Sequence, residues 1–581
     1  MKVFNRKGEI ARSRFWCFWG LIFAVSVIFS VETYAGDFFN PDRIVYNASV
    51  YRGQGAWAQG FATSGQVFSA VGTSEQMLAL ADKYPNAELI DGEGGLIVPG
   101  FNDVHVHAFP FNTFGIPLND PSEWIPGPGP GKQELLGMLA GAATQIPPGT
   151  WLWAFVGDAI IDDALHGSNP PITRWDIDAV TPDHPVVVMG WGGHGLLVDS
   201  LVMAAIGLGA TDPDPWAGWY GRNHKGVNDG WCWEYAEYQA ITDIRALIPA
   251  EQIAPQLNAV LLGMAKLGVT SIQTMDFFDD SIYKAALDEA GTMARVRIIS
   301  LPLTYEESLR KSGRSFNPYA KVNVYGVKWV SDGTPIDRLT AMEEDYTDLP
   351  GWSGIFNFPL DNWQDMVADG LKSPLVKEQR IFHTIGDRTL GNLVTAMEEA
   401  APSWKWRFHR LRVEHGEFAS LYAEQLAAKN VVVAYNPIHH SFPQMFIPRY
   451  GEQRMADMYK MRTVKNAGIK IAIGSDGFGL INPMTGEGIG GNPFLQIFLA
   501  VRNPTNPAEG LTVEEAVDAY TYGSAYAEFM EIFKGTISVG KLADYAILSQ
   551  NIFDPALLFQ IPGTYSVRTV CGGEDTYVLG Q

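Results

Sequence analysis

The sequence predicts an α/β protein: a (β/α)8 TIM-type barrel carrying a small β-sandwich built from both chain ends. Three observations point there. Short β-branched apolar runs alternate with helical stretches through the middle of the chain. Short strand-like segments separated by Gly turns occur at both ends. And 581 residues are too many for one ordinary core. Strands that are apolar throughout, rather than alternating, belong to a parallel sheet covered by helices.

The elements follow in order. Lys2, Arg6, Lys7, Arg12 and Arg14 precede an apolar run from Phe15 to Val31 and the stretch Thr33-Tyr34-Ala35-Gly36. Basic, apolar and small segments in that order describe a secretory signal peptide over residues 1–35, cleaved after Ala35. A periplasmic or secreted protein follows, with no stable membrane span after cleavage; the alternative is an uncleaved anchor. Residues 36–98 are expected to form the N-terminal part of the sandwich. Strands are expected at Arg43–Tyr51, Gln66–Val71, Glu88–Asp91 and Leu96–Val98, and a helix at Ser74–Tyr84 capped by Ser74. The barrel takes residues 99–534, with a long insertion at about 110–260. Its legible strands are Val324–Val330, Arg380–Ile385, Arg410–Glu414, Val431–Tyr435 and Ile469–Ile473. Helices are expected at Leu390–Ala400, Phe418–Lys429 and Arg454–Ala467. Residues 535–581 supply the C-terminal part of the sandwich, through strands at Gly535–Val539, Asp544–Ser549, Val567–Cys571 and Thr576–Leu579. Neither end piece is large enough for a core of its own, so the two are expected to pair.

Composition narrows the partners. With 42 basic and 64 acidic residues the net charge is -22, which repels a polyanion and argues against nucleic-acid binding. A small-molecule substrate remains; a homo-oligomer is compatible with the sequence but not implied by it. Past the leader only Cys232 and Cys571 remain, and their distant positions give no geometric support for a disulfide, which stays open.

The chemistry concentrates at strand ends. His105 and His107 in Asn-Asp-Val-His-Val-His are alternate residues of one strand, so they project to one side, as two imidazoles on one metal require. Later strands end in Lys328, His383, His415 and Asp476. The C-terminal ends of barrel strands are where catalytic groups sit in this architecture. Lys328 is unusual, because an ammonium inside an apolar strand is costly unless it is paired or chemically changed. A neutral lysine amine can take up CO2 to become a carbamate, an anionic ligand able to bridge two cations.

With these residues the chain resembles the metal-dependent amidohydrolase superfamily, in the branch that includes N-substituted formamide deformylases. The likeness runs from about Arg43 to the C-terminus. It rests on the Leu96-to-His107 stretch, Gly268-Val269-Thr270-Ser271, the Lys328 segment, His383 to Asp387, Glu414-His415, Gly474-Ser475-Asp476, Leu511 to Ala516 and Gly535 to Asp544. The resemblance implies one or two divalent metals, zinc first among them. His105, His107 and Asp476 would bind the more buried ion. Lys328, as a CO2-derived carbamate, would bridge to a second ion on His383 and His415. Asp476 would also move the proton, and His194 and His439 would face the substrate and stabilise an oxyanion. Three positions depart from the pattern: Asp199 before Ser200 where Asn is common, Gln273 where a His often occurs, and His440 after His439. The implied activity is hydrolysis of a C–N bond, an amide first, by hydroxide generated at the metal. Ester or lactone hydrolysis at the same site and a catalytically silent binding or regulatory protein are the alternatives. His166, His184, His224 and His409 read as structural or surface residues.

Nine of the seventeen tryptophans (Trp124, Trp151, Trp153, Trp175, Trp191, Trp216, Trp219, Trp231 and Trp233) fall in the insertion. They allow two readings, an aromatic wall for an apolar or aromatic amide, or the insertion's own core.

Overall fold

The structure, a computed structural model, describes residues 40–110, 115–120, 127–167, 169–309, 316–372, 379–481, 488–489 and 491–581. The expected signal peptide and Trp124 lie outside the described residues. Eight parallel strands carry the site: β1 (Phe101–His107), β2 (Val269–Thr274), β3 (Arg295–Ser300), β4 (Val322–Val330), β5 (Arg380–Thr384), β6 (Arg412–His415), β7 (Val432–Tyr435) and β8 (Lys470–Ile473). They lie side by side in chain order. The short strand Gly477–Phe478, just past β8, pairs with β1 at Val106 and His107, so the sheet curls back onto its first strand. This is a TIM-type barrel, with all strand C-terminal ends at one mouth.

The barrel interior is polar where such interiors are ordinarily filled by branched aliphatic side chains. Arg412 donates from Nη1 to Gln273 Oε1 at 2.6 Å, and Arg297 donates to Gln273 Oε1 at 3.1 Å and to Gln379 Oε1 at 2.9 Å. Tyr325 lies under the Arg297 guanidinium at 4.1 Å and donates to Glu528. Such groups are tolerable in an interior because each cation has carbonyl, amide or carboxylate partners.

The insertion between β1 and β2 builds a sheet of its own. Its strands run in the order Gly218–Arg222, Asn228–Glu234, Gly195–Val198, Val186–Gly190, Trp151–Val156 and Gly115–Pro117. Trp231 and Trp233 stack at 4.7 Å inside its hydrophobic cluster with Leu135, Leu152 and Val188.

Strands from both chain ends meet in a second six-stranded sheet, ordered Glu574–Val578, Ser566–Cys571, Tyr545–Leu548, Leu96–Pro99, Ser49–Gly53 and Ala56–Ala58. A four-stranded N-terminal sheet (Val67–Gly72, Gly60–Ser64, Arg43–Tyr46, Glu88–Asp91) shares a hydrophobic cluster with it through Val45, Phe61, Phe68, Tyr545 and Val570. Leu96–Pro99 runs directly into β1, so this sheet anchors the strand that carries His105 and His107. A buried ion pair, Arg295 Nε to Asp544 Oδ2 at 2.8 Å, ties the C-terminal segment to β3.

Several local expectations are corrected. Arg43–Tyr51 is two strands in different sheets, because Asn47 takes a left-handed turn (φ 52°) between them. The first helix is capped by Thr73, not Ser74: the Thr73 side chain accepts from Gln76 N, and the Gln76 side chain accepts from Thr73 N. Gly535–Val539 is irregular, entered through Gly535 at φ 87°. The stretch 454–467 is interrupted between Met455 and Met461. Cys232 and Cys571 are both buried free thiols. Among the described residues no helix is long and apolar enough to cross a membrane.

Candidate metal centre

All eight residues singled out in the sequence, His105, His107, His194, Lys328, His383, His415, His439 and Asp476, line one cavity of about 260 Å³ at the barrel mouth. His105 and His107 end β1 on the same side. Asp476 lies three residues past β8 and is aimed at them by a left-handed backbone (φ 50°) and by donation of its N–H to His105 O at 2.8 Å. Its Oδ1 is 3.3 Å from His105 Nε2 and 3.5 Å from His107 Nε2, and these ligand atoms lie within 4.8 Å of one another. His107 is held between Phe277 and Phe478, with ring centroids at 6.0 and 5.4 Å.

Behind this trio stands Glu414, whose functional place was not evident from the sequence. Its Oε2 is 2.6 Å from His105 Nδ1, and Arg412 Nε donates to its Oε1. Burial disfavours the Glu414 charge, but Arg412 and His105 more than offset it and bring the carboxyl down to about 2. His105 thus turns Nδ1 to a fixed carboxylate and Nε2 to the cavity, the arrangement that makes an imidazole a good metal ligand. Strand alternation alone would put Glu414 and His415 on opposite faces. The positive φ of His415 (67°) lets both face inward.

His383 is oriented the same way by Asp332. Its Nδ1 is 3.0 Å from Asp332 Oδ1, and Asp332 also accepts from Gly386 N at 2.9 Å and Thr389 Oγ1 at 2.7 Å. The His383 ring lies 4.4 Å from the His415 ring and 5.3 Å from that of His194. Lys328 points into the same space, with Nζ 3.0 Å from His105 Nε2; burial brings its amine down to about 8.

His194 belongs to the insertion, and its partner Glu234, like Glu414 and Asp332, is a residue that sequence reasoning missed. Nδ1 of His194 donates to Glu234 Oε2 at 2.9 Å, and Asn357 Nδ2 donates to the same oxygen at 2.7 Å. Burial opposes a charge on His194, but Glu234 outweighs it and raises the imidazole to about 9. His439 lies with Nε2 3.2 Å from Asp476 Oδ2. The four histidines read as structural stay outside the cavity lining; His184, for example, bonds Thr150 O at 3.1 Å.

The rest of the lining is largely apolar: Phe155, Met189 and Trp191 from the insertion, and Phe277, Ile336, Ile438, Phe442 and Phe446 from the barrel side. Trp191 is the only one of the described tryptophans in this lining. The other described tryptophans of the insertion are therefore no wall of this cavity, and Trp153, Trp231 and Trp233 are core.

The donor set fits a divalent cation. Imidazole nitrogens and an ionised carboxylate are the ligands such ions take. Asp476 is held well below the usual carboxylate range: burial opposes its charge, and His105, His107 and His439 more than compensate. Nδ1 of His415 is buried with no hydrogen-bond partner. A TIM-type barrel with two histidines ending β1 and an aspartate after β8, opening on an apolar cavity, defines a metal-dependent hydrolase. The sequence profile of the amidohydrolase family matches residues 88–577, and the chain belongs to that family. It is 23% identical over 556 residues to N-substituted formamide deformylase of Arthrobacter pascens, covering 89% of this chain and 94% of that one. It is 25% identical over 516 residues to Protein LONG AFTER FAR-RED 3 of Arabidopsis thaliana, covering 84% and 83%. In fold it is similar to an uncharacterized metal-dependent hydrolase from Pyrococcus horikoshii OT3, with a TM-score of 0.66 and 19% identity over 88% of this chain and 98% of that one.

Proposed function

We propose that this protein hydrolyses the C–N bond of an amide whose nitrogen substituent is apolar or aromatic. The observation that carries the reading is the convergence of His105, His107 and Asp476 at the floor of an apolar-walled cavity. A divalent cation there, zinc in this reading, supplies Lewis acidity toward water and toward a carbonyl oxygen. Lys328, as a carbamate, would with His383 and His415 face a second cation position; burial lowers its amine and so favours the neutral form that carbamate formation needs.

The chain's own residues do the rest. Asp476, with His439 3.2 Å from its Oδ2, accepts the proton of the attacking water and returns it to the leaving nitrogen, which departs poorly unless protonated. His194, held by Glu234, directs a cationic N–H donor toward the oxyanion that forms as the carbonyl is attacked. The apolar walls accept an alkyl or aryl group and exclude water. Support for the nitrogen-substituted substrate comes from the relative named for deformylating N-substituted formamides. In the same reading the two end sheets form one β-sandwich (36–98 with 535–581) beside the barrel (99–534), and the protein is exported, its mature chain starting at Gly36.

The test is a screen of N-formyl and N-acyl amines against matched esters and lactones, with metal-loaded and chelated protein. Amine release that disappears on chelation is the expected result. Hydrolysis confined to esters or lactones would replace the C–N assignment, and turnover of neither class would favour the silent binding protein.

A further inference from the structure

The end of the barrel away from the cavity carries an exposed group of aromatic and basic residues that hydrolysis does not use. The stretch Ser403–Arg410 leads into the N-terminal end of β6, and Lys470 begins β8 at that same end. Trp406 is buried and anchors the stretch, its Nε1 donating to Met397 O at 3.0 Å. Ser403–Trp406 is a short helix, and Arg407 continues its helical backbone (φ −53°). Trp404 and Phe408, four residues apart on that path, therefore stand on one side. They are 64% and 67% exposed. Ile532 is 65% exposed, and it follows Glu531, which pairs with Arg410 at 2.6 Å and so lies beside the same stretch. Large apolar side chains scattered singly over a surface are ordinary, but a group of three on adjoining segments marks a contact.

Bases accompany this group. Lys405 and Arg407 are exposed between Trp404 and Phe408. Lys470 lies 5.9 Å from the Tyr526 ring that the Arg410 guanidinium also covers, at 3.6 Å. Among the described residues Lys405, Arg407 and Lys470 have no carboxylate partner, whereas Glu531 is matched by Arg410. The net charge of -22 opposes an anionic partner taken over the whole chain. Charges more than about 8 Å away are largely screened at physiological ionic strength, however, so the three local bases govern a contact at this face. A symmetric contact with a second copy would set the same bases against each other, which disfavours self-association here. Aromatic rings interleaved with bases instead suit a surface that is apolar beneath and anionic on top.

We infer that this face docks peripherally on an anionic lipid surface. Trp404, Phe408 and Ile532 enter the headgroup layer, and Lys405, Arg407 and Lys470 face the lipid phosphates. The contact requires no membrane-spanning helix and leaves the cavity mouth, at the other end of the barrel, turned to solution. It stands independently of the reaction assigned to the cavity.

Vesicle co-sedimentation tests it. The mature protein is mixed with vesicles of phosphatidylcholine alone or of phosphatidylcholine with phosphatidylglycerol, at low and high salt. Each base near an anionic surface is worth about fivefold in affinity, so wild type should bind the anionic vesicles about a hundredfold more tightly, and high salt should remove the difference. Lys405→Gln with Arg407→Gln should weaken anionic binding about 25-fold on the same scale. Trp404→Ser with Phe408→Ser should weaken it at least about tenfold, a loss that a contact through charge alone would not show. Thermal unfolding and amine release in solution are expected to stay at wild-type values in both double variants, because all four side chains are exposed and remote from the cavity. Wild-type vesicle affinity in either double variant would overturn the inference, as would a wild-type protein that binds neither vesicle. Self-association of wild type that Trp404→Ser with Phe408→Ser abolishes, without vesicle binding, would give the face to a second copy and overturn it as well.

Discussion

Replacing Glu414 by Gln isolates the outer support of the first metal position. Glu414 is fully buried, its Oε2 lies 2.6 Å from His105 Nδ1, and its other oxygen accepts from Arg412. Gln keeps the shape and one acceptor but removes the charge that makes His105 a stronger ligand. Loss of such a partner ordinarily weakens metal binding about 10–100-fold, or about 1.4–2.7 kcal/mol. The short contact and complete burial place Glu414 at the upper end of that range. Arg412 keeps Gln273 Oε1 and Val104 O, so the protein is expected to lose less than the about 3–5 kcal/mol of a fully broken buried pair and to stay folded. The assay is a chelator-competition measurement of metal affinity, with thermal unfolding of the metal-free protein run alongside. A folded Glu414→Gln protein that binds metal as tightly as wild type would refute the reasoning, leaving Glu414 as no more than a counter-ion for Arg412.

Three further substitutions test other links. Gly474→Ala puts a Cβ 2.5 Å from His105 N and 2.8 Å from His105 Cβ, so it should displace that histidine and lower metal content in a protein that still unfolds cooperatively. Glu234→Gln removes the charge behind His194 and should lower kcat by up to about 10²–10³ with metal content unchanged; an unaltered kcat would take His194 out of the chemistry. Asp544→Asn leaves Arg295 buried without its carboxylate and should cost about 3–5 kcal/mol in denaturant unfolding. Burial opposes the Asp544 charge, but Arg295 holds the carboxyl below its ordinary value. In wild type the pair therefore contributes fully above about pH 4, and the contribution is lost as pH falls through the lower folded-state value; the variant should lack this acid-side loss.

Residues whose place in the cavity follows from position on their own strand were legible in the sequence. His105 and His107 share a face by alternation, and Lys328, His383, His415 and Asp476 stand where barrel strands end. The supporting carboxylates were harder to place, because their partners are distant in the chain: Glu234 meets His194 across 40 residues, and Asp332 meets His383 across 51. Glu414 was hidden differently, since period-two alternation does not foresee that His415 turns inward beside it. Strand β3 was missed because Arg295 and Arg297 make Arg-Val-Arg-Ile-Ile-Ser look partly exposed, whereas this barrel buries its arginines against Asp544 and Gln273. The tryptophans show the converse. Composition drew attention to them, but Trp219, Trp231 and Trp233 pack the insertion's own cluster and Trp151, Trp153 and Trp216 pack the main core.

The most direct test of the metal-dependent hydrolase is to measure metal content and amine release on one sample each of wild type and Asp476→Asn. Asp476 contributes an oxygen to the His105–His107 group and is assigned the proton, so the variant should keep its fold, retain part of its metal, and release amine at least about 10²-fold more slowly. A metal-replete Asp476→Asn protein that turns over at the wild-type rate would contradict the account and move the proton to a histidine, with His194 first.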